Sequence, residues 1–278
     1  MKNMSRFSKS IVLSAVVLLA ASCARTAKID AVVADAPSSD VIVKLLDINR
    51  FETLDTVALD QTGHFSYKVD VKKGQPEFVY LFHGDTKIAS MILKSGDKVT
   101  IEADTLGNYT VFGSEESTKL AEVERDYAKV LAKMNSIARR IEESVNADYA
   151  LTLRQQLGKE YLDYYRSRIK YVMENSRSLS VVPVFYQTLG ADLPVFAQAT
   201  DAIHYRNTAD SLALEYPDSK YVKALRQEAD RRFGYLELES RLSSAESISY
   251  PDIELPDIKG QKCKLTDVDS KVVLLHFW

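Results

Sequence analysis

The chain has little of what most metal, cofactor and nucleophile motifs require. Its 278 residues include two cysteines, four histidines and ten glycines. The glycines are scattered one to a turn instead of forming a phosphate-binding loop, and neither His-Glu-x-x-His nor a paired-cysteine spacing occurs. We therefore expect no cofactor, no metal site and no catalytic residue in this chain. A local structural role is predicted for each histidine, namely His64, His83, His204 and His276.

The chain also lacks a basic excess. Its formal net charge is −3, and residues 1–22 carry three basic residues and no acid, so the remainder has 33 basic and 39 acidic residues. The chain therefore has no excess positive charge to neutralise phosphates, which argues against a nucleic-acid partner. A hydrophobic content of 46% with 27% charge is ordinary for a globular protein.

A long apolar run is missing as well. The stretch "IVLSAVVLLAAS", residues 11–22, is too short to cross a bilayer, which takes about 20 residues. Because Lys2, Arg6 and Lys9 precede it, residues 1–22 are predicted to be a secretory signal peptide.

The signal ends in "LLAASC", small residues leading into Cys23. This resembles the lipobox of bacterial lipoproteins, and the resemblance implies a lipid on Cys23 that holds the protein to a membrane. The alternative is an ordinary cleaved signal with an incidental cysteine. The following "ARTAKID" lacks an acidic cluster, which favours a periplasm-facing location in the cell envelope.

The second cysteine, Cys263, has no partner for a disulfide if Cys23 carries lipid. It lies between Lys262 and Lys264 in a short alternating segment. Positively charged neighbours favour a reactive thiol. A half-buried packing residue is the alternative, and we prefer it.

After a tether at 23–28, residues 29–113 alternate with period two in short runs separated by turn residues. Seven or eight such strands predict an antiparallel sandwich or barrel, and we adopt the β-sandwich. In "DQTGHFSY", Gly63 can supply the positive φ of a tight turn.

From Ser114, which is predicted to be an N-cap, the period changes to that of helices. Helices are predicted over 114–141, 148–174, about 178–189, 200–215 and from Asp218 onward, so that 114–245 forms a helical region packing on itself. The carboxylates at 115–124 are expected on a solvated face. Core packing is favoured over a ligand groove for a group of tyrosines, namely Tyr161, Tyr164, Tyr165 and Tyr171.

Residues 248–278, "YPDIELPDIKGQKCKLTDVDSKVVLLHFW" from Tyr250, resemble the opening of membrane-anchored thioredoxin-like thiol:disulfide oxidoreductases. The family has a proline-containing strand, a Lys-Gly hairpin, a Leu-x-Asp connector and an apolar strand ending in Phe-Trp. By this resemblance His276, Phe277 and Trp278 end the strand that precedes the catalytic Cys-x-x-Cys. The chain contains no such motif, so we expect it to be incomplete and inactive as given.

Residues 29–113, with "KSGDKVTIEAD" and "VFGSEES", are similar to a small domain of unknown function that precedes thioredoxin-like modules in envelope lipoproteins. The sequence thus predicts a multidomain α+β protein: a β-sandwich, a helical middle and an incomplete thioredoxin-like start. Its expected function is that of a lipid-anchored envelope protein of the thiol:disulfide oxidoreductase type. The alternative is a non-enzymatic binding or scaffold lipoprotein with an envelope protein as partner.

Overall fold

The computed structural model describes residues 26–190, 193–244, 253–270 and 272–276. The chain divides into two compact units, one ending at Phe233 and the other beginning at Gly234. As predicted, it is a mixed α and β protein with antiparallel sheets first and helices in the middle. The predicted signal peptide, Cys23, Phe277 and Trp278 lie outside the described residues.

The described part of the first unit opens with eight strands, β1 Thr26–Val33, β2 Asp40–Asp47, β3 Arg50–Ala58, β4 His64–Asp70, β5 Glu77–His83, β6 Thr86–Leu93, β7 Lys98–Ala103 and β8 Tyr109–Phe112. They form two four-stranded sheets, ordered β4-β1-β7-β8 and β3-β2-β5-β6. Neighbouring strands run antiparallel, with the exception of the parallel pair β1 and β7. Between β3 and β4, Gly63 has φ +77°, which confirms its predicted role in the turn.

Strand β1 was not among the predicted strands, and it begins inside the predicted tether. Ala27 and Ile29 are almost fully buried, and β1 pairs with β4 on one side and β7 on the other. Two of its four inward positions hold alanine. The alternation of "TAKIDAVV" therefore has low hydrophobic contrast, although the strand is central.

The strands β5 and β6 are buried on both faces. On one face Val79, Leu81 and Met91 belong to a core between the two sheets. On the other face Phe78 and Ile92 belong to a second core, which the helices complete. The prediction of a helical region packed on itself is therefore wrong in one respect: the helices share their core with the β3-β2-β5-β6 sheet.

Four helices follow, α1 Glu115–Glu142, α2 Ala147–Glu174, α3 Ala202–Glu215 and α4 Lys220–Ser244. Ser114 is the N-cap of α1, as predicted, and accepts a hydrogen bond from the Ser117 N–H. The predicted helical piece at 178–189 is instead two 3₁₀ turns, Leu179–Val181 and Pro183–Tyr186, followed by the small hairpin β9 Thr188–Leu189 and β10 Leu193–Pro194. Pro183, which has no N–H to donate, begins the second turn.

Helix α1 also protects the edge of its sheet. The Ser117 hydroxyl donates to the Ile92 carbonyl (2.8 Å) and accepts from the Ile92 N–H (3.1 Å). Ile92 lies on the edge strand β6, so one side chain occupies both of its outward backbone groups.

In the second unit the antiparallel hairpin β11 Glu254–Pro256 and β12 Lys262–Lys264 leads into a helical turn, Leu265–Asp267. The predicted buried strand is wrong for residues 272–276, which form no strand: Val272 is 84% and Leu274 is 91% exposed. Within the described part of the chain no strand pairs with this segment, and an apolar run without ladder hydrogen bonds does not form a strand.

Candidate functional site

A cleft of about 1030 Å³ lies in the first unit. One face of α1 contributes Ala121, Glu124, Ala128 and Leu131, which recur at helical spacing. The turn between β7 and β8, residue Lys87 of β6 and the segment Pro183–Thr188 supply the other walls.

Glu124 is the best-connected side chain of the cleft. Its Oε1 accepts hydrogen bonds from Lys87 Nζ (2.6 Å) and Ser90 Oγ (2.9 Å), and its Oε2 accepts one from the Tyr109 hydroxyl (2.8 Å). Both carboxylate oxygens are thus occupied, and Lys87 balances the charge. The arrangement joins α1 to β6 and β8.

Tyr109 is held in its neutral form. Burial raises the pKa of its hydroxyl above the ordinary value, and the neighbouring Glu124 carboxylate raises it further. Tyr109 therefore acts as a hydrogen-bond donor to Glu124 throughout the physiological pH range.

The 183–188 wall is fixed by two tyrosines from neighbouring helices. Tyr127 of α1 donates its hydroxyl hydrogen to the Thr188 carbonyl (2.6 Å), and Tyr164 of α2 donates to Gln187 Oε1 (2.8 Å). Gln187 is 8% exposed. Because its Oε1 is engaged, its Nε2 remains as a donor without a partner among the described residues.

The cleft residues were not singled out from the sequence. The carboxylates at 115–124 were expected on a solvated face, which is wrong for Glu116, 7% exposed, and for Glu124, whose side chain is 20% exposed. Lys87, Tyr109, Glu124 and Gln187 lie far apart in the chain, and no local pattern connects them.

Among the tyrosines of α2, the packing role is confirmed. Each hydroxyl is bonded, Tyr161 to the Pro194 carbonyl, Tyr164 to Gln187, Tyr165 to Asp201 and Tyr171 to Ser180. His64 bonds Asp30 across two paired strands (2.6 Å), which agrees with a local structural role.

Cys263 lies exposed on β12, so the preferred prediction of a half-buried packing residue is wrong. Together with His276 it lines an apolar groove of about 460 Å³ within the second unit. The other predicted site residues, Cys23, Phe277 and Trp278, lie outside the described residues.

In the described part of the chain, no group of three or more His, Cys, Asp or Glu side chains is placed to hold a metal ion. None of the helices described has both the length and the apolar character needed to cross a bilayer. No family model and no curated protein matches this chain.

Proposed function

We propose that the chain is a lipid-anchored protein of the bacterial cell envelope, attached through Cys23, and that its first unit binds a ligand without transforming it. The observation that carries the binding role is the 1030 Å³ cleft with its few fixed polar groups. Binding sites typically combine an apolar lining with a small number of placed hydrogen-bonding groups. Glu124, saturated by three donors, is suited to holding the walls in place.

Filling the cleft tests this role. The dye 1-anilinonaphthalene-8-sulfonate is expected to bind the first unit at the cleft, and Ala128→Trp should remove one binding site per chain. Ala128 is exposed and lines the cleft, so a larger side chain there fills the space without disturbing the core. Ala132→Trp, also exposed on α1 but outside the cleft lining, is the matched control. Equal dye binding by the two variants would contradict the proposal.

The anchor has a separate test. Cys23→Ser should move the protein from the membrane fraction to the soluble fraction of the cell envelope, because the thioether to the lipid cannot form. Retention of the variant in the membrane fraction would refute anchoring at this residue.

A second candidate function, of the thiol:disulfide oxidoreductase type, is favoured by the order of elements in the second unit. A hairpin carrying an exposed Cys263 is followed by the turn Leu265–Asp267, the sequence of elements that the resemblance implies. Exchange requires both a nucleophilic and a resolving thiol, and Cys263 cannot be both. The 278-residue chain should therefore reduce insulin no faster than its Cys263→Ser variant does. A faster rate for the unsubstituted chain would establish a catalytic thiol.

A further inference from the structure

We propose that the cleft of the first unit binds a carboxylate at the end of an apolar chain, with Arg125 and Gln187 as its donors. This inference rests on the proposed binding function and names the class of ligand.

Two of the three carboxylates that line the cleft, Glu124 and Asp104, are already engaged by donors, and Glu102 is the exception. Both oxygens of Glu124 are occupied, and both oxygens of Asp104 accept bonds within its own turn, from the Leu106 and Asn108 N–H groups and from Asn108 Nδ2. A ligand that brought further donors would find these carboxylates saturated. A ligand that brings acceptor oxygens does not depend on these carboxylates, because it needs donors from the protein.

Gln187 supplies a fixed donor. Its side chain lines the cleft, is 8% exposed, and has its Oε1 fixed by Tyr164 at 2.8 Å. The Nε2 group has no partner among the described residues and is not one of their fully buried unpaired side-chain atoms, so it can be reached from the cleft. A ligand oxygen at this point would accept the hydrogen bond that water otherwise accepts.

Arg125 supplies the charge. It lines the same cleft, is exposed, and its guanidinium makes no ion pair or hydrogen bond with any residue that the structure describes. Lys87, the other lining cation, is already paired with Glu124. Arginine presents a planar fork of donors that suits a carboxylate.

An apolar part of the lining suits an apolar chain. Ala128 and Leu131 of α1 and Pro183 offer no hydrogen-bonding side chain, and the cleft volume far exceeds that of a carboxylate group. Glu102, exposed on β7, is the lining carboxylate without a partner among the described residues, so it opposes an anionic ligand. Glu102→Gln should therefore tighten binding about twofold to fivefold, as removal of a like charge near an exposed site does.

Two sources of such a carboxylate are separated by calorimetric titration of the 278-residue chain. The probes are acetyl-Ala-Leu-Ala-Leu with a free C-terminal carboxylate, the same peptide as its C-terminal amide, and dodecanoate. The peptide acid, or dodecanoate, should bind at least tenfold tighter than the peptide amide, because hydrogen bonds to charged groups contribute about a factor of ten or more. The peptide acid binding more tightly than dodecanoate identifies a peptide C-terminus, and the reverse identifies a fatty acid.

Arg125→Gln should weaken binding of the preferred probe about tenfold. The control is Arg139→Gln, which removes the same charge from an exposed position of α1 outside the cleft and should leave affinity unchanged. If neither the peptide acid nor dodecanoate binds more tightly than the peptide amide, or if no probe binds at millimolar concentration, the carboxylate assignment is overturned. If Ala128→Trp still removes one dye-binding site per chain in that case, the binding function stands. If dye binding is unchanged in this variant, the proposed function itself fails.

Discussion

At the scale of single residues, Tyr221 shows how one hydroxyl connects helix and sheet. It lies in the first turn of α4 and is 3% exposed. Its oxygen accepts the Phe78 N–H at 3.2 Å and lies 2.7 Å from both the Leu46 carbonyl and the Glu77 carboxylate. The ring packs edge-on against Phe78. Strands β2 and β5 and helix α4 therefore meet at one oxygen atom.

Tyr221→Phe should lower the free energy of unfolding by about 1–3 kcal/mol, because it leaves a buried backbone N–H without an acceptor. Urea denaturation measures this change. Tyr149→Phe is the matched control. Tyr149 is 46% exposed, so water can take the place of the lost hydroxyl, and the free energy of unfolding is expected to change by less than about 0.5 kcal/mol. Equal effects of the two substitutions would show that the Tyr221 hydroxyl contributes nothing beyond a surface contact.

Buried tyrosines also set the alkaline limit of stability. Burial raises the pKa of Tyr164 to about 12, and likewise raises the pKa of Tyr80 and Tyr205 above the ordinary value. In the unfolded chain these hydroxyls lose their protons near pH 10. Between pH 10 and 12 the unfolded state thus binds fewer protons than the folded state, so stability is complete below pH 10 and falls as the pH rises.

Urea midpoints measured from pH 8 to pH 11 should accordingly decrease above pH 10, and Tyr164→Phe should make the decrease shallower. The difference in absorbance at 295 nm between the unsubstituted chain and Tyr164→Phe reports the Tyr164 phenolate and should appear only with unfolding. Its appearance at pH 10 without unfolding would mean that this hydroxyl is accessible in the folded protein.

At the scale of elements, the contact between α1 and the edge of β6 depends on Ser117. This fully buried hydroxyl serves both the N–H and the carbonyl of Ile92. Ser117→Ala should lower the free energy of unfolding by about 1–3 kcal/mol, since the buried Ile92 N–H loses its acceptor and the Ile92 carbonyl keeps only the Ser114 hydroxyl at 3.3 Å. Ser211→Ala, at an exposed helical serine, is the control and should change it by less than about 0.5 kcal/mol. Urea denaturation of both variants measures the change in the free energy of unfolding. A similar small effect for both would contradict the role assigned to Ser117.

Local patterns predicted those elements whose own residues determine them. The turn at Gly63, the N-cap at Ser114 and the long helices α1 and α2 follow from alternation, helical period and cap chemistry. Strand β1 was missed because alanines weaken its contrast, and 178–189 was misassigned because its buried apolar residues pack in 3₁₀ turns. The cleft is lined by residues up to about a hundred positions apart, for which one sequence carries no local signal.

At the scale of the whole molecule, the predicted sandwich and most of the predicted helical region are parts of one compact unit. The face of β5 and β6 that carries Phe78, Tyr80, Phe82 and Ile92 is covered in the core that the helices complete. A fragment of residues 26–113 would expose this face. We therefore expect it to aggregate, since large exposed apolar patches promote association. A fragment of residues 26–233 should remain monomeric and unfold in a single transition.

Light scattering and calorimetry of the two fragments test this expectation. A monomeric, cooperatively folded 26–113 fragment would show that the sandwich stands without its helices, and two separate transitions in 26–233 would show the same.

The central position of β1 bears on how a lipidated protein would meet its membrane. Thr26 is already paired with Asp70, three residues after Cys23. Three residues of chain extend about 10 Å at most. With lipid on Cys23, the near end of this sheet would lie within that distance of the headgroups, so the first unit would be held close against the bilayer surface and would reach partners in or on that same membrane.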